Sequence, residues 1–168
     1  MTAPESIAAY GRLQSSPGEW LERDDVTLVN YSETQLRTLG PLTVTVTGSQ
    51  TFGPELQFGQ IVGDFYDQHV LLIKVAQSSR SLANDFRPPS SGGTTGQLYN
   101  VIIDRVTEVL GDLEQIVPNY NGQGYEILGF GWHQGYNNRG DLVANNEYQF
   151  NRVRGLNSPW LATEVSLW

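Results

Sequence analysis

The stretch that most limits the fold is "VLLIKVA", Val70 to Ala76, an apolar run broken only by Lys74. A strand with one wet face alternates apolar and polar residues; a near-continuous run marks a strand covered on both faces, the usual state in parallel sheets. Two other stretches read as buried strands, "VTLVNY" (Val26 to Tyr31) and "EILGFGW" (Glu126 to Trp132). Between them lie two helical patterns. In "GPELQFGQIVGDFY", Gly53 and Pro54 suit a cap and first turn, and Leu56, Ile61, Val62 and Phe65 are expected to face inward. Gly59 and Gly63 stand four apart, so one side of this helix can approach a sheet closely. In "QLYNVIIDRVTEVLGDLEQI", Leu98, Val101, Ile102, Val106, Val109, Leu110 and Leu113 recur at helical spacing, with Thr94 or Thr95 expected to cap the start. Arg87 to Gly96, "RPPSSGGTTG", reads as one long loop.

Strand, helix, strand, helix, strand predicts an α/β protein: a three-layer αβα sandwich on a parallel sheet, one domain over residues 1–168. Sites in such sheets form beyond the carboxyl ends of strands. Two loops qualify, "QSSRSLANDF" after Ala76 and "HQGYNN" after Trp132. The second places His133, Gln134, Asn137 and Asn138 where a strand emerges, a row of hydrogen-bonding groups for a ligand; as a plain turn, Gly135 and the asparagines serve equally well. In the first loop, backbone N–H groups near Ser78 and Ser79 suit an oxyanion pocket, and Asp85 has Arg80 and Arg87 in reach.

Other chemistries are disfavoured. A net charge of −8 with 10 Lys and Arg lacks the basic face that nucleic acid requires. Without cysteine there is no disulfide, thiolate metal site or Cys nucleophile. No apolar run has the length of a membrane span, and "MTAPESIAAYGRLQ" lacks the pattern of a signal peptide. "SGGTTGQ" lacks the lysine of a phosphate loop. His69 precedes a strand and reads as a surface residue at the opposite end of the sheet from His133, so the two are not expected to share a metal or a catalytic task.

Three segments together carry a family resemblance: "FGPELQFG" (Phe52 to Gly59), "LLIKVAQSSRSLANDFRPPSSGG" (Leu71 to Gly93) and "GYEILGFGWHQG" (Gly124 to Gly135), with "YGRL" and "GEWLERDDV" before them. Over roughly Tyr10 to Phe150 the sequence resembles the sialate O-acetylesterase-like branch of the SGNH hydrolases, which includes acetyl-xylan esterases. The resemblance implies a flavodoxin-like sandwich that removes acetyl groups from carbohydrates by serine chemistry, with no metal or other cofactor. It makes Gln134 a side-chain oxyanion donor and Ser79 a backbone one, where relatives often carry glycine. Ser78, Arg80, His133, Tyr136 and Asn138 are the implied substrate-binding residues; Trp132, Tyr136 and Trp160 offer sugar-stacking surfaces. The family's Gly-Gln-Ser-Asn nucleophile motif has no match, and Ser6 is the nearest candidate by position. The Asp-x-x-His base motif has none either. The chain therefore reads as an incomplete form of the fold, a fragment or a binding remnant. Export to the periplasm or cell exterior is what relatives suggest. Without the family's first strand, "VTLVNY" and "VLLIKVA" must pair directly or leave edges that favour self-association.

Overall fold

The computed structural model describes residues 11–16, 19–32, 35–44, 53–133 and 136–138. It has mixed α/β content. A 3-10 turn (Gly11–Leu13) leads into a short antiparallel ribbon of β1 (Gln14–Ser16) and β2 (Glu19–Trp20). A three-stranded sheet follows, ordered β4-β3-β5, from β3 (Arg23–Ser32), β4 (Gln35–Leu42) and β5 (Val70–Ala76). Helix α1 (Pro54–Phe65) lies between β4 and β5 in sequence; α2 (Gln97–Gly111) and the short α3 (Leu113–Ile116) come after β5.

Strand directions follow from local chemistry. Neighbouring β3 and β4 are joined across two residues, a connection only antiparallel strands permit. For β3 and β5, two side-chain hydrogen bonds set the sense. Thr27 Oγ1 meets His69 Nε2 at 2.9 Å just before β5, and Ser32 Oγ donates to Gln77 Oε1 at 3.2 Å just after it. Both members advance together along the chain, so β3 and β5 run parallel. These are the two apolar runs, paired directly. Val26, Thr27, Leu28 and Val29 are all buried, as a strand covered on both faces requires. The segment Glu126 to Trp132, expected as a third parallel strand, carries no strand. Gly129 and Gly131 remove two of its seven side chains, and a strand so depleted has little to pack.

Contacts divide the chain into two units. The first comprises Met1–Tyr31, Gln35–Lys74 and Leu113–Tyr120; the second comprises Ser32–Thr34, Val75–Asp112 and Asn121–Trp168. The core of the first joins Leu13, Val26, Leu28, Leu42, Val44, Leu56, Val70 and Leu72. Helix α1 begins at Pro54 with Gly53 as N-cap, but its inward face differs from the expected one. Leu56, Gly59, Gln60 and Gly63 are buried, whereas Ile61 and Phe65 are 55% and 77% exposed. The cause is closeness of approach. A Cβ on Gly59 would lie 2.9 Å from Leu72 Cδ1 and closer still to Leu42, so the bare glycine backbone is what touches the sheet. Glu55, in the first turn, is ion-paired with Lys74 of β5 at 2.6 Å and also accepts from the Gly53 N–H. That pair places a lysine inside an otherwise apolar strand. Arg23 grips Asp25 through two bonds, of 2.9 and 2.6 Å, and also bonds Asp64 and the Gln60 carbonyl. The guanidinium holds the Asp25 carboxyl below its usual range.

His69 is not a plain surface residue. It is half-buried against Thr27, which is 2% exposed. Burial pushes the imidazole pKa down, opposed by the nearby Asp25 charge. The unfolded chain therefore takes up a proton near pH 6.5, the ordinary histidine value, while the folded chain still resists it. The His69 contribution is whole above about pH 6.5 and is lost as pH falls toward the lowered folded value. Thermal melts across this range should show His69→Gln with a flatter pH dependence than the parent; identical slopes would assign the effect elsewhere.

The second unit packs Leu82, Phe86, Leu98 and Val101 with Val75, Ile102 and Trp132. The long helical pattern splits, α2 ending at Gly111 with Asp112 as its C-cap. Neither threonine caps α2. Its N-cap is Gly96, with no side-chain bond, and the Leu98 N–H is instead satisfied by the Asp85 carbonyl at 2.9 Å.

Candidate functional site: the loop after β5

The chain leaves β5 at Ala76 and Gln77 is tied back to Ser32. Ser78, Ser79 and Arg80 follow as an exposed turn. Immediately beyond, Leu82, Ala83 and Phe86 are buried, so the exposed residues ride on an apolar plug. A compact hydrogen-bond set shapes the plug. The Asp85 carboxylate accepts from the Ser81 N–H at 2.7 Å and the Ser81 hydroxyl at 3.2 Å, while the Asp85 and Phe86 N–H groups donate to the Ser81 carbonyl. Arg80 stands 3.7 Å from Asp85, an exposed pairing of small energetic worth. Arg87 does not pair with Asp85. Its guanidinium donates to the carbonyls of Gly92, Ala83 and Ser91, tying the returning chain, which includes a 3-10 turn at Pro89–Ser91, to the plug.

Ser79 has φ of +60°, a left-handed conformation that glycine adopts freely and serine at a cost. The backbone here has the geometry that glycine would favour. Ser79→Gly is expected to leave the fold intact and to raise stability by up to about 1 kcal/mol, the relief of left-handed strain offset by glycine's greater chain entropy. Urea unfolding of the pair checks this; a clear loss of stability would mean that the serine side chain holds the turn.

Trp132, just before the other predicted loop, packs on this plug. The rings of Phe86 and Trp132 pack edge to face with centroids 5.3 Å apart, and Phe130 lies 5.7 Å from Trp132. Trp132 is thus a core residue that brings His133 to the neighbourhood of the plug. Its indole N–H is buried and has no acceptor among the described residues. His133 and Tyr136 are exposed, Tyr136 at 73%, and Tyr136–Asn138 form a 3-10 turn. Gln134, Ser6 and Trp160 lie outside the described residues, as does the Asn138 side chain. The hydroxyl–imidazole pair Thr27–His69 is no nucleophile and base, because Thr27 is buried from any substrate.

Sequence reasoning did not anticipate the Ser81–Asp85 bonds or the Phe86–Trp132 contact. The available signal was an acid four residues after a serine, with apolar residues between and beyond them. Among the described residues, no group of three or more His, Asp or Glu is placed to hold a metal, and no helix is long and apolar enough to cross a membrane. No family model, curated protein or solved structure matches the chain.

Proposed function

We propose that this chain carries the ester-binding part of a carbohydrate O-acetylesterase-type domain, on a three-layer αβα sandwich of the SGNH kind. The carrying observation is the turn at Ser79, held in a glycine-like conformation just beyond the carboxyl end of β5 and linked through Phe86 and Trp132 to the His133 loop. Open α/β sheets bind ligands at that end of their parallel strands. A serine oxygen attacks the acetyl carbonyl, whose oxygen becomes an oxyanion. The Ser79 N–H and the Gln134 side-chain N–H₂ donate to it. As the intermediate collapses, the sugar oxygen leaves with a proton, and water then releases acetate from the serine. Ser78, Arg80, His133, Tyr136 and Asn138 contact the sugar. Ser6 is the nucleophile candidate; no residue is assigned as base.

The lack of recognisable nucleophile and base motifs, together with an exposed Tyr136, favours a second reading: sugar binding without turnover. Acetate release from a peracetylated hexose, measured beside calorimetric binding of the same sugar, separates the two. Saturable binding with no acetate supports the second reading; neither binding nor release removes both.

A further inference from the structure

We propose that a cleft in the first unit, with the outward ridge of α1 beside it, docks a cationic polypeptide segment. The cleft encloses about 860 Å³ and is lined by Glu22, Asp24, Asp25 and Asp64 as well as Arg23, Gln60 and Ile61. Arg23 engages two of the carboxylates, Asp25 and Asp64. Glu22 and Asp24 are exposed and have no ion pair or hydrogen bond among the described residues. Four carboxylates against one guanidinium leave the lining strongly negative.

One further feature narrows the occupant. Ile61 and Phe65, one helical turn apart on α1, are 55% and 77% exposed, an apolar ridge continuous with the cleft through Ile61. A polypeptide with arginine or lysine beside an apolar residue meets both demands. Its cations face Glu22 and Asp24, and its apolar side chain covers Ile61 and Phe65. A bare metal ion lacks the apolar part, and no metal-holding group of carboxylates is present among the described residues. Nucleic acids and anionic lipid surfaces are repelled by the same charge. A second copy would set one acidic face against another on a chain of net charge −8.

The test is fluorescence anisotropy with a labelled peptide of about eight alternating arginines and leucines, and its glutamate–leucine counterpart as control. Saturable, salt-sensitive binding of the arginine peptide is expected. The Kd should rise about tenfold or more in Glu22→Gln/Asp24→Asn, and by a similar factor in Ile61→Ser/Phe65→Ser. All four side chains are exposed, and thermal melts of each variant verify folding. Equal affinity for the glutamate peptide would overturn the proposal, as would indifference to either double variant. So would sedimentation showing that these substitutions alter self-association rather than peptide binding.

Discussion

Gly96→Ala is expected to lower the unfolding free energy by about 2–4 kcal/mol, although alanine tolerates the backbone angles there. Gly96 sits at φ −64°, ψ 137°, ordinary extended backbone, so conformational preference predicts little change. Packing decides the outcome. A Cβ would lie 2.5 Å from both the Arg87 nitrogen and the Asp85 carbonyl carbon. Those are main-chain atoms and cannot turn aside as a side-chain tip would. To admit the methyl group, residues 85–87 must move away from the start of α2. That breaks the bonds from Gly96 N–H to the Arg87 carbonyl and from Leu98 N–H to the Asp85 carbonyl, each 2.9 Å. The first turn of the helix then loses the partners that stand in for a capping side chain. Gly111→Ala is the control, since nothing lies within 4 Å of a Cβ at the end of α2. It should be neutral or stabilising by up to about 1 kcal/mol. Equal costs for the two alanine variants in urea unfolding would show that the loop is not anchored as described.

The central strand β3 was legible because burial on both faces leaves a strong mark. The expectation of two covered faces fails for β5, which ends the described sheet and buries only Val70 and Leu72; its apolar run still marked it as a strand. "VLLIKVA" coincides with β5, and "VTLVNY" lies within β3. Strand β4 left no such mark. Of "QLRTLGPL" only Leu42 is buried, Leu36 and Leu39 are nearly half exposed, and Gly40 and Pro41 argue against a strand. It ends the described sheet, as β5 does at the other side, but lacks the apolar run that marks β5. The start of α1 was readable from Gly53 and Pro54, yet its face was not. Hydrophobicity favoured Ile61 and Phe65, but the sheet takes the side that can come nearest, which is the side of Gly59 and Gly63.

At the candidate site, sequence placed the first loop just beyond β5, but the strand it put before the second loop is absent, and Gln134 and Gly135 of that loop lie outside the described residues. It could not foresee Asp85 folding back on Ser81, because a bond between side chain and main chain four residues apart leaves no periodic trace. Nor could it choose between Arg80 and Arg87 as partner for Asp85. Arg87 is drawn away by three carbonyls, which a planar guanidinium satisfies together.

The central functional claim concerns Gln134. Developing negative charge on an ester carbonyl oxygen is best held by neutral donors already in position, and one such donor is worth about 100- to 1,000-fold in turnover. Gln134→Ala leaves the Ser79 N–H as the remaining donor proposed here, so the loss is expected in kcat rather than in KM. Chelators should change nothing, since neither donor depends on a metal. Hydrolysis of 4-nitrophenyl acetate by the parent chain and Gln134→Ala, side by side with EDTA, is the most direct measurement. The account predicts turnover that survives EDTA and falls about 100-fold or more in the variant. A parent rate no higher than buffer, or a variant as fast as the parent, would contradict it.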